Sequence, residues 1–183
     1  MQPRKNPSVL RSEERIIEAL IDLMQVKPLN RISISEITEN AELTRRTFYR
    51  HFETKEQVLD AYFERLLASF CEEINAVGQD LELRHSVRIL FHLCFQNKEF
   101  FLALARSGMQ GYMLRKWNEV LPHVHALYAD TLKRFPKTSS ETALAYLLTF
   151  NSGGVYNIVM KWIEDGMTLS PDELADLVME FAF

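Results

Sequence analysis

The hydrophobic residues of this chain recur every three to four positions, which is the spacing of one face of an α-helix. In the first such segment Ile16, Leu20 and Met24 share a face, and Pro28 ends the helix. No segment alternates apolar and polar residues with the period of two that a half-buried strand requires. The pattern therefore predicts an all-α fold.

Capping residues mark where the later helices begin. Ser33, Thr54, Thr138 and Ser170 are each followed three positions later by Glu or Gln, so the hydroxyl can accept the third amide and the longer side chain can reach back. After the first helix, the predicted helices cover residues 34–41, 45–51, 55–77, 84–96, 98–106, 110–135 with an interruption at Pro122, 141–165 and 171–182.

The helices predicted over 34–41 and 45–51 have the lengths and the short connection of a helix-turn-helix. Phe48 and Phe52 form the inner face of the second helix. A helix in the major groove needs donors for base edges, and neighbouring groups must contact phosphates. The predicted DNA-binding residues are Ser33, Thr44, Arg45, Arg46, Thr47, Tyr49, Arg50, His51 and Lys55. The expected partner is double-stranded DNA.

The formal net charge of −4 gives the chain no global basic field. Locally, however, Arg45, Arg46, Arg50 and Lys55 stand against Glu53 alone. A short cationic stretch is enough for phosphate binding, because the affinity follows the contacts that are made. The alternative interpretation is that these side chains form an ordinary solvated helix face.

The run over residues 33–59 resembles the signature of the TetR family of transcriptional regulators. The matching residues are Ile37, Ala41, Thr44, Thr47, Phe48, Tyr49, Phe52, Lys55 and Leu59. The resemblance covers about residues 10–65. It implies phosphate contacts from Thr44, Thr47, Tyr49 and Lys55, and base or backbone contacts from Arg45, Arg46 and Arg50.

Two positions depart from that family pattern. Thr38 stands where the family has alanine at a close helix approach, and Glu42 replaces the glycine of the turn. A residue with a side chain must then adopt a turn conformation that costs it free energy.

The run over 151–177 resembles the C-terminal domain of regulators related to dihydroxyacetone-kinase operon activators.

The helix predicted over 141–165 is apolar on two faces. Its own domain can cover one face and a second copy of the chain the other; burial deep inside one chain is the alternative. The predicted dimer interface consists of Leu144, Leu148, Val155, Ile158, Val159, Trp162, Leu174, Leu177, Val178 and Phe181. We expect a DNA-binding domain over residues 1–55, a connecting helix over 55–77, and a helical regulatory and dimerisation domain over 78–183.

Aromatic and methionine residues of this second domain are candidates for an effector pocket, although such residues at helical spacing more often form ordinary core. The predicted lining is Phe91, His92, Phe95, Phe101, Met109, Met113, Trp117, His123 and Tyr156. A small hydrophobic or aromatic effector would suit it. The alternative is an adaptor domain that binds a protein.

Other function classes find little support in the sequence. His123 and His125 would point apart on a helix, and Cys71 and Cys94 lack ligand spacing, so neither a metal nor a cofactor is expected. Ser152 lacks the preceding glycine of a nucleophile elbow, and phosphate-loop and dinucleotide motifs are missing. We therefore expect no enzyme, with a helical enzyme or ligand carrier as the competing hypothesis. Without a long apolar run or signal peptide, we expect no membrane association and a cytoplasmic protein.

Overall fold

The computed structural model describes residues 7–78, 83–120 and 141–182. Within these ranges every regular element is helical, which confirms the predicted fold class. The elements are α1 (Pro7–Val26), a 3₁₀ turn (Leu29–Arg31), α2 (Ile34–Asn40), α3 (Arg45–His51), α4 (Lys55–Val77), α5 (Leu83–Gln96), α6 (Lys98–Arg106), α7 (110–120 in its described part), α8 (Glu141–Glu164) and α9 (Pro171–Ala182).

The helix starts follow the predicted caps. Ser33 accepts a hydrogen bond from the Glu36 amide while the Glu36 carboxylate accepts from the Ser33 amide, which completes a capping box. Ser170 and Glu173 form the same reciprocal pair at the start of α9. At Thr54 the cap is present, but the side chain of Gln57 reaches the amide of Glu53 instead. Thr138 lies outside the described residues, as does Pro122.

The N-terminal helices close around one small core. Helix α1 packs on α2, α3 and α4, and the side chains of Ile16, Leu20, Ile37 and Phe48 are fully buried between them. Burying an aliphatic or aromatic side chain of this size contributes roughly 1.5–3 kcal/mol. These contacts fix the orientation of α3, since Phe48 can be buried only when the opposite side of that helix faces outward.

The remaining helices form a second layer, and α5 of this layer packs against α4. Helix α5 packs on α9, and α6 packs on α8 and α1. Trp162 of α8 lies against two rings of α5, with centroid separations of 5.8 Å to Phe91 and 6.0 Å to Phe95. Helix α4 contacts both α1 and α5, so it physically joins the two halves of the chain.

Candidate nucleic-acid interface

Helix α3 is oriented by its cap and by its buried aromatic face. The Thr44 hydroxyl accepts a hydrogen bond of 3.1 Å from the Thr47 amide, which begins the helix at Arg45. Phe48 is fully buried and its ring lies 6.0 Å from the ring of Phe52. The opposite side of α3 therefore faces solvent.

The outward surface of α3 carries unpaired cationic side chains. Arg45, Arg46, Tyr49 and Arg50 are exposed, and within the described part of the chain none of the three arginines forms an ion pair. A shallow concave region on this surface is lined by Thr44, Arg46, Thr47, Tyr49 and Arg50. Exposed guanidinium groups beside a hydroxyl-rich helix start can donate both to base edges and to phosphates.

In the turn between α2 and α3, Glu42 adopts the left-handed conformation expected of the residue that replaces the turn glycine. Its φ angle is +48°, in the left-handed region that favours glycine. The Glu42 carboxylate lies 2.6 Å from the guanidinium of Arg15 on α1. The other unusual residue, Thr38, is buried, and its hydroxyl donates to the carbonyl of Ser35 over 2.9 Å, so the buried polar atom has a partner.

Three of the predicted DNA-binding residues form hydrogen bonds inside the protein. The Lys55 ammonium donates to the carbonyls of Leu29 at 2.6 Å and Ile32 at 2.8 Å, so it stabilises the 3₁₀ turn that precedes α2. Ser33 is engaged in its capping box. His51 is half-buried, and its Nε2 lies 2.7 Å from the hydroxyl of Ser12 on α1.

Ser12 links His51 to α1. Its hydroxyl also donates to the carbonyl of Val9 over 3.0 Å, so one serine side chain contacts both its own helix and α3. The sequence pattern did not identify Ser12 or Arg15 as contacts of the helix-turn-helix. Both are polar residues on a helix that is otherwise recognised by its apolar face, and their partners there, His51 and Glu42, are more than twenty-five residues away.

Several residues of the predicted dimer interface lie in or against the core of their own chain. Val159, Trp162, Leu174 and Val178 are at most 5% exposed and belong to the core of their own chain, because α8 and α9 turn these side chains toward α5 and α6. Val155 and Ile158 are half-buried and pack against the same core. Leu177 is 42% exposed. The side chains of Leu144, Leu148 and Phe181 lie outside the description.

Two large aromatic side chains on the outer surface of α8 are exposed to solvent. Tyr146 is 75% exposed and Phe150 is 79% exposed. Gly153 and Gly154 follow on the same side, and a methyl group added to either would meet nothing within 4 Å. The glycine pair therefore does not serve close packing among the described residues of this chain.

The described members of the predicted pocket take part in several separate packing contacts. Phe91 and Phe95 contact Trp162, whereas Phe101 lies among other rings, 5.4 Å from Phe100. Met113 is buried and Met109 is half-buried against the core. Trp117 donates to the hydroxyl of Ser152, Tyr156 to the carbonyl of Gln110, and His92 lies at the surface 3.3 Å from Asp172. His123 is outside the described residues.

Among the described residues, no group of three or more His, Cys, Asp or Glu side chains is arranged to hold a metal ion. No helix of residues 7–78, 83–120 and 141–182 is long and apolar enough to span a membrane. Cys94 is buried, and this burial raises the pKa of its thiol to about 12. The thiol is therefore protonated near neutral pH.

Comparison with known protein families matches both halves of the chain. Residues 16–62 match the family described as bacterial regulatory proteins, tetR family. Residues 82–183 match a family described as transcriptional regulator C-terminal region. The first match contains α2 and α3 with their connecting turn, and the second contains α5 to α9.

Individual relatives agree with these matches. The HTH-type dhaKLM operon transcriptional activator DhaS of Lactococcus lactis subsp. lactis (strain IL1403) is 24% identical over 160 residues, which is 86% of this chain and 82% of that protein. A solved structure of the dihydroxyacetone kinase operon activator DhaS has a TM-score of 0.68 at 22% identity and covers 92% of both chains. A TetR transcriptional regulator from Streptococcus agalactiae 2603V has a TM-score of 0.66 at 20% identity, covering 93% of this chain and 92% of its own.

Proposed function

The chain belongs to the TetR family of transcriptional regulators, and on that premise we propose that it binds a palindromic operator as a homodimer, with α3 in the major groove. The observation that carries this proposal is the surface of α3. Its buried side fixes the helix to the core, while Arg45, Arg46 and Arg50 remain exposed and without ion-pair partners in the described part of the chain.

The contacts divide by position on the helix. Arg45 and Arg46, in the first turn of α3, would form bidentate hydrogen bonds to guanine. Thr44, Thr47 and Tyr49 border them and suit phosphate oxygens, as does the positive end of the helix. Arg50 lies one turn further along. Ser33, His51 and Lys55 brace this arrangement through their contacts inside the domain.

A charge-matched pair of variants tests the interface. Replacing Arg45, Arg46 and Arg50 together by Ala should abolish the salt-dependent binding of duplex DNA, since three cationic contacts are removed. The control replaces Lys98, Arg115 and Lys161 by Ala, which changes the net charge equally but lies in the regulatory half. If both variants lose the same affinity for duplex DNA, binding depends on the total charge of the protein, and a role for α3 is contradicted.

We propose that the dimer forms through the outer surface of α8, which presents Tyr146, Phe150, Gly153 and Gly154. Large aromatic side chains that are three-quarters exposed are costly to leave in water. The open space over the two glycines leaves room for a second backbone to approach closely. A two-fold axis here would repeat α3 on one side of the DNA.

Sedimentation velocity of a single variant tests this surface. Phe150→Glu should convert a dimer to a monomer at micromolar concentration, because two carboxylates would be buried at the contact. Its fold should survive, since Phe150 is 79% exposed in the chain. Val26→Glu is the matched control, as Val26 is also 79% exposed but lies at the end of α1. A wild-type monomer, or a dimer unaffected by Phe150→Glu, would contradict the proposed surface.

Control by an effector remains a prediction for the regulatory domain. The described aromatic residues are distributed over several helix contacts, so they do not indicate the chemistry of a ligand. A thermal-shift screen that pairs small hydrophobic and aromatic compounds with the dimer tests for one, because a ligand that binds only the folded state raises Tm.

A further inference from the structure

The first turns of α1 lie against the helix-turn-helix at two points. The hydroxyl of Ser12 lies 2.7 Å from Nε2 of His51, the last residue of α3. Almost one turn further along α1, the guanidinium of Arg15 lies 2.6 Å from the carboxylate of Glu42, in the turn between α2 and α3. One side of the start of α1 is therefore held beside the proposed DNA-binding surface.

Arg11 lies on this side of α1. Successive residues of an α-helix are about 100° apart around its axis, so Arg11 is about 40° from Arg15 and about 100° from Ser12. Ile16 and Leu20, which are fully buried in the core, lie on the opposite side of the helix. Arg11 itself is exposed. It is therefore a surface residue next to the end of α3.

Among the described residues, Arg11 forms no ion pair, whereas the neighbouring arginines do. Arg15 is paired with Glu42, and Arg65 of α4 is paired with another carboxylate of α1. Glu14, three residues beyond Arg11, is exposed as well, and the described ion pairs include none between the two. The guanidinium of Arg11 thus resembles those of the α3 arginines in being exposed and without a carboxylate partner.

Phosphate is the DNA group that an arginine at this position can bind. When α3 lies in the major groove, the phosphate backbones border it on both sides. Arg11 lies on a different helix, beside the last residue of α3, so it faces the border of the groove and not the base edges that the first turn of α3 contacts. A guanidinium binds phosphate oxygens through two parallel hydrogen bonds.

We propose that Arg11 of α1 is a further DNA contact, which binds a backbone phosphate at the outer edge of each half-site. The contact extends the bound region beyond the bases that α3 reads, and it adds affinity without sequence preference. Ser12 and Arg15 position Arg11, because they hold the start of α1 against α3 and against the turn. This inference rests on the proposed binding of DNA by α3.

The salt dependence of binding is the first test. Arg11→Gln should weaken binding to every duplex alike, and should lower the slope of log affinity against log salt concentration by about one for each bound copy of the chain. Arg11→Lys should keep the wild-type slope, because an ammonium also binds phosphate. Arg115→Gln is the matched control, since Arg115 is an exposed arginine of α7. An unchanged slope in Arg11→Gln, or the same loss in Arg115→Gln, would overturn the contact.

The second test locates the phosphate. The wild type and Arg11→Gln are compared on duplexes of the selected operator in which one phosphate at a time is replaced by an uncharged methylphosphonate. At one position outside the bases read by α3, the replacement should weaken binding by the wild type but not by Arg11→Gln, since the variant has already lost that contact. Equal effects on both proteins at every position would refute the proposal.

The two proposals fail in different ways. A wild-type protein that binds no duplex DNA would contradict the proposed function, and the Arg11 contact with it. A wild-type protein that binds its operator with the same affinity and salt slope as Arg11→Gln would overturn the Arg11 contact alone and leave recognition by α3 in place.

Discussion

The ammonium nitrogen of Lys55 lies 2.6 Å from the carbonyl oxygen of Leu29 and 2.8 Å from that of Ile32. A single cation at the start of α4 thus satisfies two carbonyls of the segment that leads into the helix-turn-helix. Charged hydrogen bonds of this kind contribute roughly 1.5–3 kcal/mol when they are partly buried. Lys55 therefore stabilises the domain that presents α3.

Replacing Lys55 by Met should lower the free energy of unfolding by about 1–3 kcal/mol. Urea denaturation followed by circular dichroism measures the change. Lys161→Met is the control, because the exposed pair of Lys161 with Asp165 should be worth less than about 0.5 kcal/mol. If Lys55→Met leaves stability unchanged but reduces the salt slope of DNA binding by about one, the lysine contacts a phosphate as the sequence alone predicted.

Arg46→Ala should change which bases are preferred. If Arg46 reads a guanine, the loss at that one position is about 1–3 kcal/mol and the other positions keep their preferences. Competition binding against a panel of single-base operator variants measures this. An equal loss on every duplex, including random sequence, would show that Arg46 contacts only the backbone.

Lowering the pH should selectively remove the contribution of Glu36 to the free energy of unfolding. Hydrogen bonds from Lys27 and from Ser33 lower the pKa of this carboxyl from 4.5 to about 2. Because the pKa of the folded state lies below that of the unfolded state, the stabilisation is complete above the unfolded value and is lost as the pH falls toward the folded one. The stability difference between wild type and Glu36→Gln should therefore shrink from about pH 6 toward about pH 3.

Glu39→Gln provides the comparison for that titration. Glu39 is an exposed carboxylate of the same helix, so its stability difference from wild type should vary far less over the same range. Equal pH dependence in the two variants would mean that the effect comes from overall charge, not from the capping box.

The turn residue Glu42 gives a prediction about backbone strain. At a φ of +48° a residue with a Cβ is strained by about 1–2 kcal/mol, whereas glycine is not. Both Glu42→Gly and Glu42→Ala lose the exposed pair with Arg15. Glu42→Gly should therefore be the more stable of the two by about 1 kcal/mol, after allowing for the greater freedom of glycine in the unfolded chain. A more stable alanine variant would contradict the left-handed turn.

Local interactions made most of the fold predictable from the sequence. Ser33 and Glu36 are three residues apart, so their capping box can be read directly, and the same holds for Phe48 and Phe52 on one face of α3. The partners of Lys55 are more than twenty residues distant. The sequence pattern therefore predicts a phosphate contact for Lys55 but cannot show the two internal hydrogen bonds that its ammonium also makes.

Helix α8 shows a second limit. It is apolar around most of its circumference, and periodicity cannot tell which apolar face turns inward. Only the packing of α5 against α9 and of α6 against α8 places Trp162 in the core and leaves Phe150 outside. That one face needs a partner stays a prediction, and the exposed residues on which the proposed interface rests, Tyr146 and Phe150, were not among those predicted.

Selection of binding sites from a random pool of duplex DNA by the purified protein tests the central claim most directly. The account predicts an enriched inverted repeat whose half-sites lie about one helical turn apart, roughly 34–36 Å, or a little more. Enrichment should disappear when Arg45, Arg46 and Arg50 are replaced by Ala. No enriched sequence, or an enriched sequence that the triple variant still selects, would contradict operator recognition by α3.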